Sequence, residues 1–226
     1  MKKIINIISN QVASENANFE SIASLNLLDI GCSSFIPDHF LKHQKLINYF
    51  GCDPDLIGLE KIKEKSYISK FKSSKFQNVG ASNETKTSFL EVGRKRTSSK
   101  VISHKNNDFN LLEINLVKTS ILQKRFNKGN ANLIKIDAEG HELEIISGMN
   151  LNCEDLLCVE VECTLNQNNN NLSSILTMFE KNNFFLASIR YHNSQTFTAS
   201  RFKNKILCLI YKLLIRLPII GRFNYI

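Results

Sequence analysis

Short apolar runs alternate with amphipathic segments along most of this chain. Residues 25–31 and 131–140 are compact apolar runs that close on an acidic residue and a glycine, a pattern typical of buried parallel strands followed by a turn. Residues 36–47 and 56–65 space their apolar side chains as a helix does. The same patterns predict strands over 47–55, 76–84, 87–93 and 156–162, helices over 141–149 and 172–182, and two strands over 184–200.

Two further segments carry weaker patterns. Residues 94–108 are polar, basic and without periodicity, which predicts a loop. Residues 111–122 alternate only weakly, so that both a strand and a helix stay open there. Strands that alternate with helices require crossover connections, and the whole pattern predicts an α/β fold: a mostly parallel sheet with helices on both faces and one antiparallel edge strand. In such sheets ligands bind beyond the carboxyl ends of the strands.

The net charge of +8 is confined to one end of the chain. No acidic residue follows Glu180, whereas eight of the 29 basic residues do, which leaves residues 1–180 with 21 basic and 21 acidic side chains. We divide the chain accordingly into an N-terminal extension (1–24), a central domain (25–200) and a basic, apolar tail (201–226). The neutral body argues against a nucleic-acid partner, because phosphate contacts need basic residues near the site.

The tail combines apolar residues with regularly spaced cations. Over residues 203–217, Lys205, Lys212 and Arg216 fall on one stripe of a helix, and apolar residues cover most of the rest. Such a helix suits an anionic membrane surface, although a helix in the core or at a dimer interface has the same pattern. The six cysteines form no C-x-x-C pair, and the N-terminus lacks the apolar core of a signal peptide. The sequence thus predicts a cytoplasmic protein, with peripheral membrane contact through 203–217 left open.

Two strand ends place acidic residues where a ligand would bind. Asp29 and Gly31 close the first strand, and Asp53 ends the next strand, 22 residues after Gly31. An acid at that position is placed to accept both ribose hydroxyls of a nucleotide. Only the first glycine of a G-x-G-x-x-G phosphate cradle is present, which argues against a dinucleotide-dependent oxidoreductase. The acids instead suit a cation without phosphates, such as the sulfonium of S-adenosylmethionine, although a plain strand-to-helix turn has the same pattern.

A third strand end is richer in carboxylates. Asp137 and Glu139 follow a buried strand and point to the same side by two-residue alternation. Gly140 then turns the chain into a helix whose first turn carries Glu142 and Glu144, where the helix dipole favours anions. These carboxylates could also serve only to cap that helix. Capping explains Glu144 best and Asp137 least well, because Asp137 lies at the ligand edge of the central strand.

The segment IKIDAEGHELEIISGM (134–149), followed by LLCVEVE (156–162), resembles the signature of the FkbM-type S-adenosylmethionine-dependent methyltransferases. LLDIGCSS (27–34) is similar to that family's cofactor loop, and the acid of FGCDPD (50–55) is similar to its ribose-binding acid. GASNET (80–85) resembles the turn after its third strand. The resemblance implies a Rossmann-like class I methyltransferase fold with S-adenosylmethionine as the cofactor. It also implies O-methyl transfer to a hydroxyl of a glycan or a related small molecule.

The resemblance spans about residues 25–192 and assigns roles by position. It implies cofactor contacts from the strand ends: Asp29, Gly31, Cys32, Ser33, Asp53, Pro54, Ser82, Asn83 and Asp137. It implies an active edge lined by Asp137, Glu139 and Glu142. The catalytic candidates are Asp137, Glu139 and His141, and on chemical grounds Asp137 is the first candidate for the general base and His141 the second. Glu139 and Glu142 are placed toward the substrate. No metal is predicted, because adjacent positions on a strand diverge in direction.

Two departures from the family pattern keep a second function open. Residues 32–34 (Cys-Ser-Ser) follow Gly31 where the family usually has a small-residue or glycine-rich course. Lys118 and Thr119 stand where the family has acids ahead of the central strand. Both changes are compatible with a catalytically degenerate member that binds cofactor or glycan without turnover.

Overall fold

The structure, a computed structural model, describes residues 25–33, 35–93, 99–102, 111–163, 172–192 and 194–200. The strands are β1 (Leu25–Ile30), β2 (Ile47–Cys52), β3 (Ser73–Gln77), β4 (Gly80–Ser82), β5 (Lys86–Glu91), β6 (Lys100–Ile102), β7 (Leu111–Lys118), β8 (Leu133–Ile136), β9 (Cys158–Cys163), β10 (Phe185–His192) and β11 (Ser194–Ser200). The helices are α1 (Asp38–Leu41), α2 (Leu56–Lys63), α3 (Thr119–Leu122), α4 (Glu142–Ser147) and α5 (Leu172–Lys181), with 3₁₀ turns at Gln44–Leu46 and Ile68–Lys70.

The two ends of the chain lie outside the described residues. These are the predicted N-terminal extension (1–24) and the tail (201–226), with its candidate membrane-binding stretch (203–217). Among the helices that the structure describes, none has the length and apolar character needed to cross a bilayer.

Seven strands form a central sheet in the order β10-β11-β9-β8-β1-β2-β3. β3, β2, β1, β8 and β9 pair in parallel, so that Leu27 of β1 lies opposite Tyr49 of β2 and Leu133 of β8. β10 and β11 form the predicted hairpin, and β11 runs antiparallel to β9. The predicted mostly parallel sheet is confirmed. Its antiparallel strand is β11, which lies between β9 and the edge strand β10.

Alternation along the parallel strands fills an apolar core on each face of the central sheet. On one face, Leu28 of β1 belongs to a cluster with Ile145 of α4 and Phe179 of α5. On the other face, Leu27 belongs to a cluster with Leu59 of α2. Strands that are covered on both faces need apolar residues at most positions, which is why β1 is apolar except for the buried Asn26 and Asp29.

The helix predicted over 36–47 is shorter in the structure. α1 begins after Pro37 and ends at Leu41, and a 3₁₀ turn precedes β2. Neither piece fully buries a residue, and only Phe40 and Leu41 of α1 pack partly against the core, so that little packing stabilises a longer helix. α2, by contrast, buries two apolar side chains and has an N-cap, because the Asp55 carboxylate accepts the N–H of Ile57 at 3.1 Å.

A second, four-stranded sheet has the order β4-β7-β5-β6, which the sequence pattern does not predict. β6 lies within 94–108, where the pattern predicts a loop. Its antiparallel pairing with β5, with Leu90 opposite Val101, outweighs its weak local preference. Residues 111–122 contain both of the elements left open, because α3 directly follows β7.

Candidate functional site

Three neighbouring parallel strands bring polar residues to one edge of the central sheet. Gly31, Asp53 and Asp137 directly follow β1, β2 and β8, so they meet at the carboxyl ends of these strands. The Gly31 N–H donates to the Cys52 carbonyl oxygen at 3.0 Å, and the Asp137 N–H donates to the Ile30 carbonyl oxygen at 3.0 Å. All three residues line a cleft of about 640 Å³, which we call the first cleft.

The first cleft has an acidic side and an apolar side. Its carboxylates belong to Asp53, Asp55, Asp137 and Glu139, and no lysine or arginine among the described residues lines it. The apolar side is formed by residues of the four-stranded sheet, by Val79 just before β4 and by one residue of α4. These are Val79, Ala81, Leu90, Val101 and Ile145. This mixed lining suits a ligand that carries both hydrogen-bonding and apolar groups.

Asp53 connects the loops that follow β1 and β2. Its carboxylate accepts the backbone N–H of Ser33 at 3.1 Å and the backbone N–H of Asp55 at 2.8 Å. Burial raises the pKa of Asp53, and the hydrogen bonds partly oppose that rise. Asp53 thus holds the two loops together at the point where its own carboxylate lines the first cleft.

Gly31 is the point of closest approach between the loops after β1 and β8. Its φ of +75° lies in the left-handed region that favours glycine. A Cβ atom built on Gly31 would lie 1.7 Å from the carbonyl oxygen of Asp137. The position therefore requires glycine both for its backbone conformation and for the space around it.

Glu139 lines the first cleft in a strained conformation, with a φ of 48°. Partial burial, together with the negative charges of Asp137, Glu162 and Glu142, raises the pKa of Glu139 to about 7. A carboxyl group with a pKa near neutrality can take up and release a proton at physiological pH, as a general base must.

His141 lines the cleft two residues further along. Its Nε2 lies 3.1 Å from Ser82 Oγ, and its Nδ1 lies 3.8 Å from Glu144 Oε2. Desolvation lowers the pKa of His141, although the Glu144 charge acts in the opposite direction. The lowered pKa favours the neutral form of the imidazole, and Ser82 orients it.

Asp29, a predicted cofactor ligand, does not line the first cleft; the structure buries it completely within the sheet. Its carboxylate accepts hydrogen bonds from Tyr49 Oη at 2.8 Å and from Lys135 Nζ at 3.1 Å. Lys135 is also buried, and its Nζ lies 3.4 Å from Asp137 Oδ2. Lys135, which the sequence analysis missed, thus links Asp29 to the cleft. The two carboxylates raise the pKa of Lys135 even though its burial acts to lower it.

Four other predicted residues do not line the first cleft in the structure. Cys32 is buried in the apolar core, and Ser82 is buried beside Asn83. Glu142 is buried and accepts the Gly140 N–H at 2.9 Å, so it stabilises the turn before α4. Seven predicted residues do line the cleft: Gly31, Ser33, Asp53, Pro54, Asp137, Glu139 and His141. Within the described ranges, no three His, Cys, Asp or Glu side chains form a group that could hold a metal ion.

A family model described as the methyltransferase FkbM domain matches residues 34–186, more than half of the chain. The chain belongs to the FkbM methyltransferase family. The resemblance carried by IKIDAEGHELEIISGM is thereby confirmed, as are the class of enzyme and the cofactor: this is a methyltransferase that uses S-adenosylmethionine.

Two solved methyltransferase structures resemble this FkbM family member. Magnesium protoporphyrin IX methyltransferase from Synechocystis PCC 6803, with bound SAM, is 11% identical over 89% of this chain and 79% of its own, with a TM-score of 0.44. Precorrin-6y C5,15-methyltransferase from Geobacter metallireducens GS-15 is 11% identical over 79% of this chain and 81% of its own, with a TM-score of 0.44. A comparison with curated proteins found no match.

The chemistry of the first cleft is compatible with the cofactor of the FkbM family. S-adenosylmethionine combines an aromatic base, a ribose diol and a sulfonium cation. The cleft offers an apolar side, the acceptors of Asp53 and an acidic side without a competing cation among the described residues. Its loops lack the glycine-rich phosphate cradle, which a cofactor without phosphates does not need.

We expect Gly31→Ala to abolish measurable binding of S-adenosylmethionine. It should also lower the free energy of unfolding by more than the ~1–2 kcal/mol that left-handed backbone costs other residues. The reason is the collision with the Asp137 carbonyl, which forces the two loops apart. Calorimetric titration and urea unfolding measure the two effects.

Gly129→Ala is the matched control for this variant. Gly129 has a similar φ of +69°, but the nearest atom to its added Cβ is Asn26 Nδ2 at 3.6 Å. Its free energy of unfolding should therefore fall only by the cost of the left-handed backbone, and its affinity for the cofactor should not change. Equal losses in the two variants would show that the loop contact at Gly31 has no special importance.

Proposed function

We propose that this enzyme transfers the methyl group of S-adenosylmethionine to a hydroxyl oxygen of a neutral saccharide or a related metabolite, with Glu139 as the general base. The observation that carries the proposal is the composition of the first cleft. Gly31 and Asp53 line it together with Asp137, Glu139 and His141. A cofactor that binds against Gly31 and Asp53 places the acceptor beside Asp137, Glu139 and His141.

The proposed cofactor contacts come from the loops after β1 and β2: Gly31, Ser33, Asp53 and Pro54. The remaining acceptor sites of Asp53 suit the ribose hydroxyls. Since Ser82 and Asn83 do not line the cleft, we assign the adenine contact to the apolar side chains of Val79 and Ala81.

When bound, S-adenosylmethionine supplies a methyl group that its sulfonium has already activated. The protein therefore has to hold the acceptor oxygen in line and to remove its proton. Positioning of this kind contributes as much as ~7–11 kcal/mol, and a well-placed base ~10²–10⁴-fold in rate.

Glu139 is better suited to the role of base than Asp137, the first candidate from the sequence. The Asp137 carboxylate lies 3.4 Å from Lys135 Nζ, and Lys135 also pairs with Asp29 at 3.1 Å. Glu139 has a pKa of about 7, which matches proton transfer at neutral pH. We propose that Asp137 and the neutral imidazole of His141 orient the acceptor by hydrogen bonds.

The charge of the first cleft supports a neutral acceptor. Four carboxylates line it, and no described cation does. Carboxylates accept hydrogen bonds from sugar hydroxyls, whereas they repel phosphate or carboxylate groups on an acceptor. The same repulsion disfavours a nucleic acid as the acceptor.

A panel of acceptors tests the proposed function through the formation of S-adenosylhomocysteine. We expect turnover with neutral saccharides, and at least about tenfold lower kcat/KM with a phosphorylated form of the same sugar, because the cleft repels the added charge. A preference for the phosphorylated form contradicts the proposed acceptor class. Cofactor binding with no product from any hydroxyl acceptor would instead favour the degenerate binding protein.

A further inference from the structure

A second cleft, of about 770 Å³, lies at the opposite edge of the central sheet. It is formed at the amino ends of β2 and β3 and by the segment that connects α3 to β8. Four of its lining side chains are cationic: Lys72, Lys75, Arg125 and Lys128. Among the described residues, none lines both clefts. The two clefts are therefore separate sites.

The four cations have no carboxylate beside them in the second cleft. Within the part of the chain that the structure describes, none of them forms an ion pair, whereas Lys63 pairs with Glu60 and Lys86 with Glu84, each at 2.7 Å. Charges of one sign in a concave site focus the electric field and concentrate ions of the opposite sign. The second cleft is thus suited to an anion with several charges.

Hydrogen bonds between side chains and backbone tie the walls of the second cleft together. Asn26 Nδ2, on β1, donates to the carbonyl oxygens of Lys128 at 2.8 Å and Asn130 at 2.9 Å. Asn48 Nδ2 donates to Asn26 Oδ1 at 3.0 Å, and Ser73 Oγ donates to Asn48 Oδ1 at 2.9 Å. The segment that carries Arg125 and Lys128 is therefore held against residues 72–75, which carry the other two cations. A site that is organised before binding loses less entropy when its ligand binds.

An aromatic ring lies beside the cations. Phe126 lines the second cleft and packs edge-on against Phe50, with the ring centroids 6.1 Å apart. Lys75 Nζ donates to Asn127 Oδ1, next to this ring, at 2.6 Å. A half-buried ring that is fixed by a neighbour provides a surface for a planar organic group, and the lysines and the arginine provide donors for phosphate oxygens.

We propose that the second cleft binds a small organic diphosphate, with its phosphates on Lys72, Lys75, Arg125 and Lys128 and its ring against Phe126. A small ligand fits better than a nucleic-acid strand, because the cations share one concave space and the chain up to residue 180 has no excess positive charge. Inorganic pyrophosphate shares the anionic chemistry but not the ring. The proposal does not depend on the acceptor proposed above.

Calorimetric titration of the full chain with ADP and with pyrophosphate tests the second cleft. Saturating S-adenosylhomocysteine is present throughout, so that adenosine groups cannot occupy the first cleft. We expect both anions to bind, with ADP about tenfold tighter because of the ring contact. The double variant Lys75→Gln/Arg125→Gln replaces two of the cations. It should weaken the binding of ADP and of pyrophosphate by at least about tenfold, because charge-assisted hydrogen bonds are lost.

Lys61→Gln/Lys65→Gln is the matched control, since it removes the same charge from exposed positions that line neither cleft. It should change both affinities by less than about twofold. Equal weakening in the two double variants overturns the proposal, and so does a single-stranded oligonucleotide that competes with ADP and binds more tightly. If Lys75→Gln/Arg125→Gln also loses its affinity for S-adenosylhomocysteine, its fold is damaged. In that case the ADP and pyrophosphate affinities of Phe126→Leu test the proposal. The proposal then requires a loss of ADP affinity without a loss of pyrophosphate affinity.

Discussion

Replacing Glu139 with glutamine is expected to lower kcat for methyl transfer by ~10²–10⁴-fold and to leave the affinity for S-adenosylmethionine unchanged. Glutamine keeps the shape of the side chain but cannot accept the acceptor's proton. The activity of the unmodified enzyme should rise with pH through about 7, the pKa to which burial and the neighbouring carboxylates raise Glu139. The variant should lack this rise, which a pH profile of kcat/KM measures.

Stability distinguishes a lost base from a damaged fold. The pKa of Glu139 is raised from 4.5 to about 7 on folding, so its contribution to stability is lost as the pH rises between these values. Glu139→Gln removes this loss and should be no less stable than the unmodified enzyme at pH 8. Glu64→Gln, at an exposed position outside the first cleft, is the control and should keep both the activity and its pH dependence. A Glu139→Gln enzyme that retains the rise near pH 7 would assign the base to another residue.

Replacing Lys135 with methionine is expected to lower the free energy of unfolding by ~3–5 kcal/mol, because it leaves a buried carboxylate without its cation. Asp29 is fully buried, and Tyr49 alone would remain to donate to it. Asp137 would lose the same partner, so the edge of the first cleft proposed to bind the acceptor should also shift and kcat should fall. Urea unfolding, followed by circular dichroism, measures the stability.

A double-mutant cycle with Asp29→Asn tests whether the buried charge is the cause. In the Lys135→Met background, Asp29→Asn should recover part of the lost stability, because the neutral amide is less costly to bury. Lys65→Met, at an exposed position, should change the stability by less than ~0.5 kcal/mol. If Lys135→Met and Lys65→Met have the same effect, the buried ion pairs do not stabilise the sheet.

The grouping of the proposed catalytic residues at one edge of the sheet was predictable because these residues are local in sequence. Asp137, Glu139 and His141 follow one strongly apolar strand, and the topology rule for parallel sheets places such residues at the ligand edge. Asp29 shows where this reasoning fails. It is the last residue but one of β1, so alternation places it with Lys135, its neighbour on β8. A single lysine in the apolar strand LIKI was the signal for that pairing, because a buried cation needs a carboxylate partner.

The apolar side of the first cleft was beyond sequence reasoning for a different reason. Val101 belongs to a strand of three residues in a polar, basic segment without periodicity. That strand forms through its pairing with β5, so its stability comes from a partner about ten residues away and not from local preference. The charges of the second cleft were likewise visible as residues, but their grouping depends on the hydrogen bonds of Asn26 and Asn48 across three strands.

The four-stranded sheet is continuous in sequence, from β4 to β7, and it contributes Ala81, Leu90 and Val101 to the first cleft but none of its carboxylates. In the proposed assignment, only the adenine contact of Ala81 lies in that stretch, on β4, whereas Asp53 and Glu139 lie outside it. The strands β5 and β6 can therefore differ in sequence between relatives without any change in these carboxylates. Grafting the β5 and β6 residues of another family member should change the apolar side of the first cleft while the proposed base, Glu139, is retained.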